Sequence, residues 1–161
     1  MQLTVDKDLE NSRLTVTATF DHPVAKVWDL FADPRKLERW WGPPGAPATV
    51  TEHALKPGGV VVYFMTIDGG QRHFGRWDVE EVLEPERFVV RDVFADEHGE
   101  PVADLPSSTM TFTFDEQDGR TTMRCVGQYP SSEALAQVVA MGIEEGLKGA
   151  MSQIEPILAE A

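Results

Sequence analysis

The sequence predicts an α+β domain, an antiparallel sheet of about seven strands laid against one long C-terminal helix, in the order β-α-α-β-β-β-β-β-β-α. Three observations predict it. Between residues 48 and 129 stretches of apolar/polar alternation recur, and alternation marks a half-buried strand. The links between them are tight-turn sequences: "KPGG" (56–59), "DGG" (68–70), "EPE" (84–86) and Asp118-Gly119. Such turns join antiparallel neighbours and leave no room for crossover helices. From about Ser132 the alternation gives way to apolar residues at helical spacing.

Residues 1–12 are polar and read as a loose lead-in, with a single domain over 13–161. "RLTVTATF" (13–20) is a strand with Leu14, Val16, Ala18 and Phe20 on one face and threonines on the other. In "DHPVAKVWDLFADP" Pro23 suits a first helical turn, with Asp21 or His22 as cap, and Val24, Val27, Trp28 and Phe31 form an apolar stripe. Asp33-Pro34 stops that helix and opens a shorter one ending in Trp40-Trp41, after which Gly42-Pro43-Pro44-Gly45 turns the chain. The two tryptophans lie about 100° apart around the helix. One therefore pins the helix to the core while the other sits at the entrance between helices and sheet.

Six strands follow. In the pair joined by Asp118-Gly119, "TMTFTF" puts Met110, Phe112 and Phe114 on one face, and "RTTMRCVGQY" does the same with Met123, Cys125, Gly127 and Tyr129. In "RFVVRDVF" the parity is ambiguous: Arg91 alternates with Val89 and Val93, Asp92 with Phe88, Val90 and Phe94. One of the two faces the apolar side, as an edge residue reaching water or as a polar anchor in a greasy pocket. The closing helix, capped by Ser131 or Ser132, carries Leu135, Val139, Ile143, Ala150, Ile154 and Ile157 on one face, with Gly142, Gly146 and Gly149 on or beside it. A helical glycine costs about 1 kcal/mol relative to alanine. Three of them either bring the sheet close or leave volume unfilled. Pro156 should end or kink the helix.

Bulk properties narrow the function. A formal charge of -13 excludes a nucleic-acid partner and docking on anionic lipid, both of which require clustered Lys and Arg. There is no secretory signal and no membrane-length apolar run, and the single cysteine, Cys125, suits a reducing compartment, so a cytoplasmic location is expected. The four histidines (His22, His53, His73, His98) are scattered without ligand spacing, so no metal and no cofactor is expected.

Four segments in order, "HPVAKVWDLFADPRKLERWWGP", "ALKPGGVVVYFM", "FGRWDVEEVLEPERFVV" and "GIEEGLKGAMSQIEPIL", resemble the family named after the activator of Hsp90 ATPase, within the START/polyketide-cyclase-like group. The resemblance covers the chain from about residue 12 to its end. It implies the helix-grip fold, in which a curved sheet wraps the last helix and often holds a ligand between them. The function expected is non-catalytic binding of a small hydrophobic or amphipathic ligand, by a monomer or homodimer. Its expected lining is Trp41, Tyr63, Met65, Trp77, Phe112, Tyr129, Gly142, Gly146 and Gln153. The alternatives are a cyclase- or hydratase-type enzyme, with His73, Tyr63 and Arg76 as acid/base candidates, and a chaperone cofactor implied by the family name alone.

Overall fold

The computed structural model describes residues 2–160, the side chain of Asp68 apart. Its strands are β1 (Gln2–Asp8), β2 (Arg13–Phe20), β3 (Ala48–His53), β4 (Val60–Ile67), β5 (Gln71–Leu83), β6 (Arg87–Ala95), β7 (Ser108–Gln117) and β8 (Arg120–Gln128). Its α-helices are α1 (Val24–Ala32), α2 (Pro34–Trp40), α3 (Ser132–Ala140), α4 (Ile143–Met151) and α5 (Ile154–Leu158). The strands form one antiparallel sheet in the order β1-β2-β8-β7-β6-β5-β4-β3. This is the helix-grip fold, with eight strands where about seven were expected.

The additional strand is β1. Within the stretch expected as a loose lead-in, Gln2–Asp8 pairs with β2 along its full length, Val5 opposite Val16. Its polar character is that of an edge strand, with only Leu3 and Val5 packed on the core.

The closing helix also departs from expectation. It is broken twice, at Gly142, which adopts φ 90°, and at Ser152-Gln153. Left-handed backbone interrupts a helix, and glycine enters that region without a Cβ penalty. The second break lies where Pro156 acts: it sits in the first turn of α5 and can give no N–H to the Ser152 carbonyl one turn back, where α4 ends. α3 is capped by Ser131, whose hydroxyl accepts from the Ala134 N–H at 3.1 Å. Neither Asp21 nor His22 caps α1. Instead Glu116 reaches across from β7 and accepts from the Val24 N–H at 2.6 Å, and Asp21 pairs with Arg120 at 2.8 Å.

The core is an aromatic cluster between α1, α2 and the inner face of β6–β8. Phe31 packs edge-on against Trp40, Phe88 and Phe114, and Phe88 stacks on Phe112 with ring centroids 4.5 Å apart. Ala150, Met151, Ile154, Ile157 and Leu158 join it from the closing segment, and Leu135 and Val138 pack on Leu14 and Tyr129 in a second cluster. No helix among the described residues is long and apolar enough to cross a membrane.

Candidate functional site

At the end of α2 the two adjacent tryptophans separate. Trp40 is fully sealed, and its indole N–H donates to the Leu30 carbonyl at 3.0 Å. Trp41 is only partly buried. Its ring meets Tyr63 and Trp77 edge-on, with centroids 5.9 and 5.2 Å away. The turn behind them is clamped by Gln153, whose amide donates to the carbonyls of Gly42 at 2.8 Å and Trp40 at 3.3 Å.

The register of the sheet resolves the parity of β6. Asp92 stands opposite Trp77 on β5 and Ser108 on β7, both buried, so Asp92 faces the grip and Arg91 faces out. Around it the interior is not sealed. Asp92, Met110 and Cys125 occupy inward positions on three central strands, yet each keeps accessible surface, while Val90, Phe112 and Met123 on the same strands are closed off. Gly127, opposite Met110, adds no side chain there. Asp92 is enclosed by protein strongly enough to raise its carboxyl pKa, and it still presents surface that water reaches. Together these two facts place a partly accessible, polar-edged patch in the middle of the concave face.

The electrostatics centre on Asp92. Burial pushes its carboxyl up to about 7, against the opposing effect of the Trp77 indole N–H. Burial, then the neighbouring Asp92 charge, drives the Tyr63 hydroxyl and the Cys125 thiol well above their ordinary values. The same two causes take Tyr129 up to about 12, opposed by a hydrogen bond with Ser108. Among the described residues the buried side-chain polar atoms without a partner at hydrogen-bond geometry are the indole nitrogens of Trp41 and Trp77. Both act on the Tyr63 hydroxyl at longer range. A buried donor left unpaired costs about 1–3 kcal/mol, and both of these nitrogens lie beside Tyr63, closed off from water.

The expected lining divides accordingly. Trp41, Tyr63 and Trp77 come together, with the Tyr63 ring lying across the backbone of Gly75, where any Cβ would collide with it at 2.4 Å. Met65 is inward and partly buried on β4. Phe112 belongs to the sealed core. Tyr129 packs in the second cluster and meets the site through Ser108 and Asp92. Gly142 and Gly146 do not line anything: both are exposed, and a Cβ on either would meet nothing within 4 Å. Gly149 has the contact, with Pro44 3.2 Å from its would-be Cβ. Gln153 is the turn clamp. Of the acid/base candidates only Tyr63 is inside. His73 is exposed at the start of β5, and Arg76 lies on the convex face, paired with Asp78 at 2.9 Å and donating to the Gly99 carbonyl at 3.0 Å.

Asp92 is the residue that alternation left open; the signal that could have found it is its pairing position between Trp77 and Ser108. Two open depressions of about 640 and 370 Å³ lie elsewhere, on the convex side around Arg72, Phe74 and His98. They are shallow grooves of mixed charge, Arg72 and Arg76 against Glu52, Glu97 and Glu100, and share no residue with the grip.

A curved antiparallel sheet closed over by a C-terminal helical segment defines a helix-grip protein of the START/polyketide-cyclase-like kind. The chain belongs to the family of activator of Hsp90 ATPase homolog 1-like proteins, whose model matches residues 21–159. It is similar to a Mycobacterium smegmatis protein of known crystal structure, with 48% identity over 99% of both chains and a TM-score of 0.91. An Arthrobacter aurescens protein, solved by NMR, is 39% identical over 98% of this chain and 92% of its own, with a TM-score of 0.91. A Staphylococcus epidermidis protein, also solved by NMR, is 27% identical over 96% of this chain and 93% of its own, with a TM-score of 0.82. No curated protein matches the chain.

Proposed function

We propose that the protein binds a small, largely apolar ligand in the hollow between the concave face and α4, without transforming it. The observation that carries this reading is the open patch at Asp92, Met110 and Cys125, in the middle of the sheet, where a merely structural domain would be sealed. Mostly apolar walls with a few convergent polar groups are the usual composition of a small-molecule site. Trp41, Tyr63 and Trp77 supply the aromatic wall, and Ile143 and Leu147 of α4 supply the roof. Gly142 and Gly146, both exposed, take no part in it. A free thiol at Cys125, the one cysteine of the chain, supports work in a reducing, cytoplasmic setting.

A neutral solvatochromic dye such as Nile red tests the reading. We expect one-to-one binding with a blue-shifted emission. Gly127→Leu, whose Cβ meets nothing nearer than 3.5 Å, should fill the hollow and weaken binding at least about tenfold, a change of about 1.4 kcal/mol. Equal binding by both proteins, or none by either, would sink it.

A second reading is favoured by Asp92 itself. A carboxyl that exchanges its proton near neutrality beside a tyrosine is what general acid–base chemistry requires. On this reading Asp92 replaces His73 and Arg76 as Tyr63's partner.

A further inference from the structure

We infer that the hollow selects ligands by their head group: it takes an apolar body that carries a hydrogen-bond donor, a hydroxyl or a protonated amine, and refuses carboxylates. The inference rests on the grip-site reading above and assigns the ligand class of that site.

Asp92 is faced from every side by uncharged groups. Tyr63 faces it from β4, Trp77 from β5, Ser108 and Met110 from β7, Cys125 from β8, and Tyr129 from the segment after β8. Trp41 closes the α2 side, and α4 turns Ile143 and Leu147 toward the sheet. None of these is Lys, Arg or His. The cations nearby in sequence are engaged elsewhere or point outward. Arg76 pairs with Asp78 on the convex face, Arg91 donates to Ser107 at 3.3 Å, Arg124 is exposed, and Lys7 pairs with Glu144 on the outer side of α4.

A ligand carboxylate entering an apolar site needs a cation or several strong donors, or it forfeits its hydration without return. Here the unpaired indole N–H groups of Trp41 and Trp77 are closed off from accessible surface, and the carboxylate would meet the Asp92 carboxyl instead. The chain's net charge of -13 adds a repulsive field at the approach. Donor heads meet the opposite situation. Among the described residues Asp92 has no side-chain donor at hydrogen-bond geometry and receives only the longer-range influence of Trp77, so its lone pairs are open to a ligand. A hydroxyl serves both forms of Asp92, donating to the carboxylate and accepting from the acid. A protonated amine serves the carboxylate alone and brings the counter-charge that the protein omits, with the partly open ring of Trp41 as additional attraction.

Calorimetric titration with naphthylmethanol, naphthylmethylamine and naphthoate, which share one apolar body, separates the cases. At pH 8 the alcohol and the amine should each bind at least about tenfold tighter than naphthoate. Between pH 6 and pH 8 the amine should gain about tenfold as Asp92 ionises, while the alcohol changes by less than about twofold. Asp92→Asn keeps size and shape; it should return about tenfold to naphthoate and take about as much from the amine. Nile red binding by the same variant reports that the hollow is intact. Naphthoate binding as tightly as the alcohol to the wild-type protein would overturn the inference and leave the grip reading standing. Absence of binding by all three, together with no effect of Gly127→Leu on Nile red, would overturn both.

Discussion

Trp28 and Trp40 are tied down and Trp41 and Trp77 are not, and this contrast divides the interior in two. Trp28 donates to Glu84 at 3.1 Å and Trp40 to the Leu30 carbonyl at 3.0 Å, within a cluster where Phe31, Phe88, Phe112 and Phe114 leave no accessible surface to speak of. Trp41 and Trp77 pack on each other just as closely, yet their indole nitrogens lack partners, and Trp41 itself and Asp92, opposite Trp77, are only partly closed off. The first region is built as a core, with polar atoms satisfied and rings interlocked. The second tolerates unpaired donors and an isolated carboxyl, which a core would not retain. The difference teaches where to look for function: in the half of the aromatic cluster whose polar groups are unsettled.

The sharpest break between the two halves should come from pH. Asp92 has a folded pKa of about 7 against an ordinary carboxyl value of 3.8. Between these limits the folded chain holds its proton while the unfolded chain releases it, so this group's contribution to stability falls as pH rises from about 4 to 7 and then levels off. At about 1.4 kcal/mol per unit, the loss is at most about 4 kcal/mol. Urea unfolding should therefore show Asp92→Asn gaining on the wild-type protein steadily from pH 4.5 to pH 8. Parallel stability curves for the two proteins would mean that Asp92 is ordinarily solvated and the hollow is not enclosed.

A matched pair of substitutions compares the halves directly. Trp40→Phe and Trp77→Phe remove similar volume from sealed positions, but only the first removes a hydrogen bond and strands a buried carbonyl. Trp40→Phe should cost about 1–2 kcal/mol more, read from urea midpoints at constant m. Equal costs would show that the Trp77 N–H is as well satisfied as that of Trp40, and would erase the distinction between the regions.

The sealed half was the more legible in sequence. Alternation over Leu14–Phe20 and Met110–Phe114 named the inward residues correctly, because a strand's two faces differ in composition wherever one is wholly apolar. Spacing around α2 also separated the roles of Trp40 and Trp41. At β6 the same rule was silent, since Arg91 and Asp92 are each flanked by apolar residues and only pairing with Trp77 and Ser108 decides between them. β1 escaped because an edge strand need not alternate cleanly, its pairing being supplied by β2. The closing segment misled for a different reason. Helical spacing of apolar residues registers a helix's average direction and is blind to a single residue turning to positive φ, so Gly142 read as part of a buried stripe when it is a break.

The smallest expected effect tests that misreading. Gly146 sits inside α4 with open space where a Cβ would be and with φ in no special region, whereas Gly142 has equally open space but φ 90°. Gly146→Ala should therefore stabilise the protein by about 0.4–1 kcal/mol, through lower entropy of the unfolded chain and better helix propensity. Gly142→Ala should destabilise it, by about 1 kcal/mol, because alanine is strained in the left-handed region although nothing obstructs it. Neither should alter Nile red binding, since neither residue borders the hollow. If Gly146→Ala instead blocked the dye, the ligand would lie along α4's outer face, and the sealed-versus-open division would have to be redrawn around the glycines rather than around Asp92.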